Sequence, residues 1–257
     1  MHSTATKMAL KAAFIVVSLA APLAAQKAVI QPPTAARATE TRTLKLNDGG
    51  KLRVGNINGY VKIYAWDKEE VALSAEFASG GDGKHASIES DNSADSLKLL
   101  VKFPKTDKKL FKSHKGANCN IELFVPSRVE GDIESVNGEV RVKGLAGNNK
   151  FGTVNGKIIL EDVAGKIKVS TVNGSIDANV QNIENALNMS TVNGSIKLKV
   201  DGKLDAQLVA NTVNGKVKID SHAATNLETG RFKTKAKFGN GRADISLETV
   251  NGSITVE

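Results

Sequence analysis

The carboxylates of the second half of the chain, Asp162, Asp177, Asp201, Asp205, Asp220 and Asp244, are the groups best suited to chemistry. Cleaving a glycosidic bond takes two carboxyl groups held about 5–10 Å apart across the sugar. These six stand singly and share no register with the repeat around them. Sugar clefts also use aromatic platforms, and the chain from Ser127 to Glu257 has neither Trp nor Tyr. The pattern fits solvated surface carboxylates better than an acid–base pair.

Other chemistry fares no better. The histidines beyond the N-terminal leader, His85, His114 and His222, are far apart and lack the spacing of metal ligands. Gly80-Gly81-Asp82-Gly83 occurs once, whereas calcium-binding β-rolls repeat such a unit; it reads as a turn. Cys119 is the single cysteine, so no intramolecular disulfide can form, and a buried inert thiol is expected. No phosphate-binding loop or nucleophile-elbow motif is present, and no cofactor is implied. Trp66, Tyr60 and Tyr64 could together face a ligand, although aromatics on strands usually pack on their neighbours.

Positive charge is the stronger signal. Lys105, Lys108, Lys109, Lys112 and Lys115 crowd one segment together with Lys102, opposed only by Asp107. Arg231, Lys233, Lys235 and Lys237 alternate with Phe232, Thr234, Ala236 and Phe238, so one strand face there would be wholly cationic. Both fit a solvated face, and both fit contact with an anionic envelope polymer, which salt would weaken.

The N-terminus sets the compartment in which such contacts would be made. Lys7 and Lys11 precede an apolar run from Ala12 to Ala21, and small residues follow at Ala24 and Ala25. This is the order of a secretory signal peptide, expected over 1–25. The run ends at Pro22, short of the roughly 20 apolar residues that span a bilayer, so no transmembrane segment should remain after cleavage. With Lys7 and Lys11 removed, the net charge falls from 8 to 8 − 2 = +6. Nucleic acid is the wrong partner for an exported chain. Periplasm, extracellular space or cell surface is the expected location.

Residues 26–42 hold Pro32-Pro33 and no apolar periodicity, and read as a flexible tether. Residues 43–126 alternate short period-two runs with turns, as in Val61, Ile63 and Val71, Leu73, Ala75, and read as a β-rich N-terminal capping region. Residues 127–257 carry an internal repeat: Val-Asn-Gly recurs with its asparagine at Asn137, Asn155, Asn173, Asn193, Asn214 and Asn251. The spacings are 18, 18, 20, 21 and 37, the last close to two periods, and a degenerate copy stands at Ile57-Asn58-Gly59. Each copy leads into alternating apolar residues, as in GKIIL and GSIKL. A five-residue strand of that kind cannot stabilise itself, but stacked copies share ladder bonds and a core. Asn-Gly would supply the corner, because both residues tolerate left-handed backbone angles. Asn-Gly between β runs is equally the signal of a two-residue hairpin, so the periodicity fits a solenoid or an antiparallel meander.

The segment Gly55 to Glu76 (GNINGYVKIYAWDKEEVALSAE), followed by tandem Val-Asn-Gly units, resembles the bacterial putative-adhesin family of domains of unknown function with β-strand repeats, DUF4097-like. The resemblance covers roughly Leu44 to Glu257 and implies an all-β fold with a β-helix-like solenoid. It carries no catalytic residue. It implies an exported, non-enzymatic cell-envelope protein serving as a structural or adhesin-like binding surface for an anionic polymer or another protein. An extracytoplasmic sensing or regulatory partner is the alternative, and a polysaccharide-active β-helix enzyme the third. In the solenoid reading the six asparagines form one column of structural corners about 5 Å apart. The chain ends directly after Gly252-Ser253-Ile254-Thr255-Val256, so the last coil is expected to leave an exposed strand edge open to end-to-end self-association.

Overall fold

The computed structural model describes residues 26–31, 37–79, 86–103, 117–181, 183, 185–220 and 224–257. The expected signal peptide, the Gly80–Gly83 turn and Lys105 to Lys115 lie outside these residues. Among the described residues there are 21 strands and no helix.

The solenoid reading is the correct one. From Glu130 onward the strands are β9 (Glu130–Glu134), β10 (Val140–Lys143), β11 (Ala146–Gly152), β12 (Ile158–Ser170), β13 (Ile176–Gln181), β14 (Ala186–Asn193) and β15 (Ile196–Asp201). Each coil contributes a strand to one face, turns at Val-Asn-Gly, and returns along the opposite face. Pairing between coils is parallel: Val140 stands beside Ile158, Ile158 beside Ile176, and Ile176 beside Ile196. On the other face Ile133 pairs with Phe151, Phe151 with Val169, and Val169 with Met189. These side chains point inward and are almost fully buried. Burying one such aliphatic residue stabilises by about 1.5–3 kcal/mol, so the repeat supplies both core and ladder. The far corner is less regular. There β12 runs through both faces, with a register shift between Leu160 and Val163, and Asp162 adopts a left-handed φ of 55°.

The N-terminal region is continuous with the coils rather than a separate cap. Its strands are β1 (Gln26–Ile30), β2 (Arg37–Lys45), β3 (Lys51–Gly55), β4 (Val61–Trp66), β5 (Glu70–Ala78), β6 (Ser87–Asn92), β7 (Ser96–Lys102) and β8 (Asn118–Pro126). The degenerate Ile57-Asn58-Gly59 forms a true coil: β3 pairs with β9 and β4 with β10, all parallel. Beyond it the faces continue as β7–β6–β1 and β8–β5–β2, ending in antiparallel hairpins. The tether expected over 26–42 therefore fails in its described parts. Gln26–Ile30 pairs with β6, and Arg37–Lys45 pairs with β5 along its whole length. Backbone pairing against a finished edge needs little apolar periodicity, which is why the segment reads as unstructured.

The C-terminal part departs further from a simple repeat. The remaining strands are β16 (Ala206–Asn214), β17 (Val217–Ile219), β18 (Ala224–Thr229), β19 (Lys233–Phe238), β20 (Ala243–Asn251) and β21 (Ile254–Val256). The 37-residue step from Asn214 to Asn251 is not two coils. The chain goes out through β18, returns through β19 antiparallel to β16, and turns at Gly239 and Gly241, whose φ values are 55° and 77°. Then β20 inserts between β14 and β16, and β21 between β15 and β17. The expectation of an exposed C-terminal edge is therefore overturned. Ile254 and Val256 are interior strand residues, and self-association through that edge loses its basis.

Candidate binding surfaces

Seven asparagines form one column in the order Asn58, Asn137, Asn155, Asn173, Asn193, Asn251 and Asn214. Six of the Nδ2 groups donate to the Oδ1 of a neighbouring coil: Asn137 to Asn58 at 2.9 Å, and Asn155 to Asn137, Asn173 to Asn155, and Asn193 to Asn173 at 2.8 Å each. Asn251 donates to Asn193 and Asn214 to Asn251, also at 2.8 Å. The expected six are thus joined by Asn58, and the last two are exchanged in order.

A second ladder runs inside the first, from residues the sequence reading left aside. Thr153, Thr171, Thr191, Thr212 and Thr249 precede the valines and are buried. Their hydroxyls donate to glycine carbonyls of adjacent coils: Thr171 to Gly156 at 3.2 Å, Thr191 to Gly174 at 3.0 Å, and Thr249 to Gly194 at 2.9 Å. The signal was present, because these five copies read Thr-Val-Asn-Gly. Asn56 takes the position in the first coil and donates to Gly59 O at 3.1 Å and Cys119 O at 2.8 Å.

The glycines serve closeness more than conformation, which corrects the reason given for them. A Cβ on Gly156, Gly174, Gly194 or Gly252 would lie 1.9–2.0 Å from the glycine carbonyl oxygen of the adjacent coil. None of these four has a left-handed φ, and none of the asparagines does. Only Gly59, with φ 112°, occupies that region clearly.

Outside the asparagines stands an apolar ridge. Ile57, Val136, Val154, Val172, Val192, Val250 and Val213 are 38–56% exposed, one per coil. Near the end of the column lies a cationic hairpin. Lys233, Lys235 and Lys237 project outward from β19 while Thr234, Ala236 and Phe238 are buried. Lys235 reaches Glu228 at 3.9 Å, and the Arg231 guanidinium sits 5.0 Å from the Phe232 ring centre.

The remaining candidates are engaged internally. Tyr64 stacks on Phe124 at 5.3 Å, Trp66 tilts against Phe124 at 5.7 Å, and Trp66 Nε1 donates to Glu70 O at 2.8 Å. Lys62 and Lys68 cover Tyr60 and Trp66 at 4.3 and 4.7 Å. Burial, then Glu76 and Glu122, pushes the Tyr60 phenol pKa up. The ring faces are thus occupied by neighbours. Asp177 pairs with Lys157, Asp201 with Lys199 at 2.9 Å, and Asp205 accepts from Gly241 N at 2.7 Å and Arg242 N at 3.1 Å. Among the described residues no three His, Cys, Asp or Glu stand close enough to hold a metal ion, and no helix is long and apolar enough to cross a membrane. Burial pushes the Cys119 thiol up to about 12.

The sequence model of the Toastrack DUF4097 family matches residues 127–257, half of the chain. The chain belongs to this family. The Toastrack match begins where the regular coils begin, although the stack itself starts earlier, at Asn58. No curated protein matches the chain. Among solved structures, a "putative cell adhesion protein" from Clostridium sporogenes is 12% identical, with 85% of this chain and 98% of that one covered and a TM-score of 0.48. A "putative adhesin" from Bacteroides fragilis is 13% identical, with coverage of 89% and 100% and a TM-score of 0.31. A "putative lipid binding protein" from Parabacteroides distasonis is 12% identical, with coverage of 85% and 96% and a TM-score of 0.30.

Proposed function

We propose that this Toastrack member is exported and works in the bacterial cell envelope as a rigid, non-enzymatic binding surface. The observation that carries the reading is the division of labour among its polar groups. The amide, hydroxyl and glycine ladders are spent on holding one column together, and Asp177, Asp201 and Asp205 on ion pairs and a turn. What stands free of that work is outward-facing surface. The cationic hairpin carries four positive side chains over residues 231–237, of which Lys235 lies 3.9 Å from the Glu228 carboxylate. A face of this kind attracts anionic lipopolysaccharide or acidic polysaccharide by a screened, salt-sensitive force. The lysines from Lys105 to Lys115 are a second expected contact for such a polymer.

Retention on immobilised lipopolysaccharide tests the reading. Lys233→Glu, Lys235→Glu and Lys237→Glu together should weaken retention and flatten its salt dependence. Retention unchanged at low salt would refute this contact. Export is tested by mass spectrometry of protein from native cells, with cleavage expected close to Ala25. Envelope material still starting at Met1 would refute it.

A further inference from the structure

We infer that the valine–asparagine column is a docking track for a neutral, linear polysaccharide lying along the coil axis. This rests on the reading of the chain as an envelope binding surface, and gives that surface a ligand class and a face separate from the cationic hairpin.

The ridge has no internal task. Val172 and Val192 are 40% and 41% exposed, and their equivalents in the other five coils are as open or nearly so. Threonine would hold the same extended backbone equally well and in water more cheaply, and threonine is what the chain uses one residue earlier, where the side chain is buried. Soluble proteins scatter exposed aliphatic residues singly, whereas seven in an unbroken line mark a contact surface.

Beside the ridge, the amides have capacity to spare. An asparagine has two N–H donors and two carbonyl lone pairs. Asn173 spends one donor on Asn155 and one acceptor position on Asn193, and its side chain is exposed. One N–H and one lone pair therefore remain for each interior asparagine, at the strand spacing of about 4.8 Å.

Charge selects the ligand. The copies at 170–175 and 190–195 are identical, Ser-Thr-Val-Asn-Gly-Ser, and wholly neutral. Glu248 is the one charge in the copy at 248–253, and Glu134, Glu139, Lys157 and Lys216 stand towards the two ends. An anionic polymer gains nothing from the centre of this stripe.

Backbone and area exclude the other occupants. Asn173 N donates to Val154 O at 2.8 Å and Gly174 N to Asn193 O at 3.1 Å, so the corner offers no free edge for strand addition by a peptide. Six steps of about 4.8 Å by a width of about 10 Å, the distance between stacked faces, give roughly 300 Å². That is less than half of the ~800 Å² each partner of a stable protein pair buries. A long, narrow contact suits a single polymer chain. Sugar rings bring apolar C–H faces for the valine methyls and hydroxyls that donate and accept for the free amide positions. The track runs lengthwise from coil to coil, so extended glycans follow it and coiled ones do not.

Titration of ¹⁵N-labelled protein with cellohexaose, chitohexaose and maltohexaose tests this, read on the asparagine side-chain amide signals. The two extended hexaoses should shift Asn155, Asn173, Asn193 and Asn251, independently of salt, and maltohexaose should not. Val172→Lys with Val192→Lys, both at exposed positions and checked for an unchanged melting temperature, should weaken binding at least tenfold. Lys233→Glu, Lys235→Glu and Lys237→Glu should leave it unchanged. Silence of the amides with both extended hexaoses overturns the inference, as does binding indifferent to the valine changes. A smaller sedimentation coefficient in the valine variant would instead make the ridge a contact between copies, and also overturns it. If the hexaoses are silent while lipopolysaccharide retention persists, the track alone falls; if both are silent, the binding-surface reading falls with it.

Discussion

Gly174→Ala separates two explanations of the repeated glycine. If the glycine supplies a left-handed turn, the cost is that of a strained φ. If it supplies room, the cost is that of prying two coils apart. The new Cβ would lie 1.9 Å from Gly156 O and 2.6 Å from Gly156 C, both backbone atoms with no rotamer to yield. Ordinary contact needs about 3.5 Å, so the coils must part locally by more than 1 Å. Four bonds cross that gap: Asn173 N to Val154 O at 2.8 Å, Gly156 N to Asn173 O at 3.2 Å, Thr171 Oγ1 to Gly156 O at 3.2 Å, and Asn173 Nδ2 to Asn155 Oδ1 at 2.8 Å. An opening of that size carries them beyond hydrogen-bonding distance. At about 1 kcal/mol each the loss is about 4 kcal/mol. Gly202→Ala is the control: its φ is 111°, with nothing within 4 Å of the added carbon. Strain alone should cost it about 1–2 kcal/mol. Urea denaturation followed by circular dichroism and by the fluorescence of Trp66, the single tryptophan, gives both numbers. If Gly174→Ala costs no more than Gly202→Ala, the argument from space is refuted.

Asn173→Ala removes two amide bonds from an exposed column and should cost about 1–2 kcal/mol in the same urea experiment. Thr171→Val keeps the shape and deletes one buried hydroxyl bond to Gly156; a loss of about 1 kcal/mol is expected, and none would mean that the inner ladder is idle. Cys119, with its thiol pushed up to about 12 by burial, should stay unreactive to a thiol reagent at pH 8 until the protein is unfolded; prompt labelling of the folded protein would contradict its burial. Burial raises the Asp205 carboxyl, but the backbone donors of Arg242, Gly241 and Asn240 outweigh it and hold the pKa below 3.8. A depressed carboxylate pKa contributes stability above the unfolded value that is lost as pH falls through the folded one. Acid from pH 3.8 downward should therefore speed amide exchange at Gly241 and Arg242, and Asp205→Asn should abolish that dependence.

The regular coils were readable because every level agreed. Strand period, turn chemistry and repeat length all changed together at Asn137, Asn155, Asn173 and Asn193. The choice between solenoid and meander was not readable, because Asn-Gly serves both corners and hairpins, and a period-two strand looks the same whether its partner is parallel or antiparallel. The threonine ladder is written in the sequence as Thr-Val-Asn-Gly, but a threonine in a strand needs no special reason and so carries no signal of its own. What could not be read was order in space. Asn214 and Asn251 carry the same signature, and nothing local says which lies next to Asn193. Strand pairing at Gln26–Ile30 was hidden for a related reason: an edge strand draws its stability from its neighbour's backbone.

The exchange of the last two coils changes what the repeat means energetically. In a sequential solenoid each coil touches its neighbours in the chain, and stability is nearly a sum of local terms. Here β20 and β21 fill the space between the coils of Asn193 and Asn214, so β16 pairs with β20 and β19 rather than with β14. Among the described residues the coil of Asn214 is therefore strand-paired to the stack through residues 243–256. Without residues 243–256, residues 206–219 would lack their parallel partner. That segment thus acts as a wedge between the coils of Asn193 and Asn214. Its threonine, asparagine and glycine repeat the corner because the wedge must match ladders on two sides at once: Thr249 and Asn251 donate to Gly194 and Asn193, while Gly252 accepts from Thr212 and Asn251 from Asn214. The Thr-Val-Asn-Gly motif shared by the coils of Asn193, Asn214 and Asn251 is what allows a strand from elsewhere in the chain to be inserted without a break in the column.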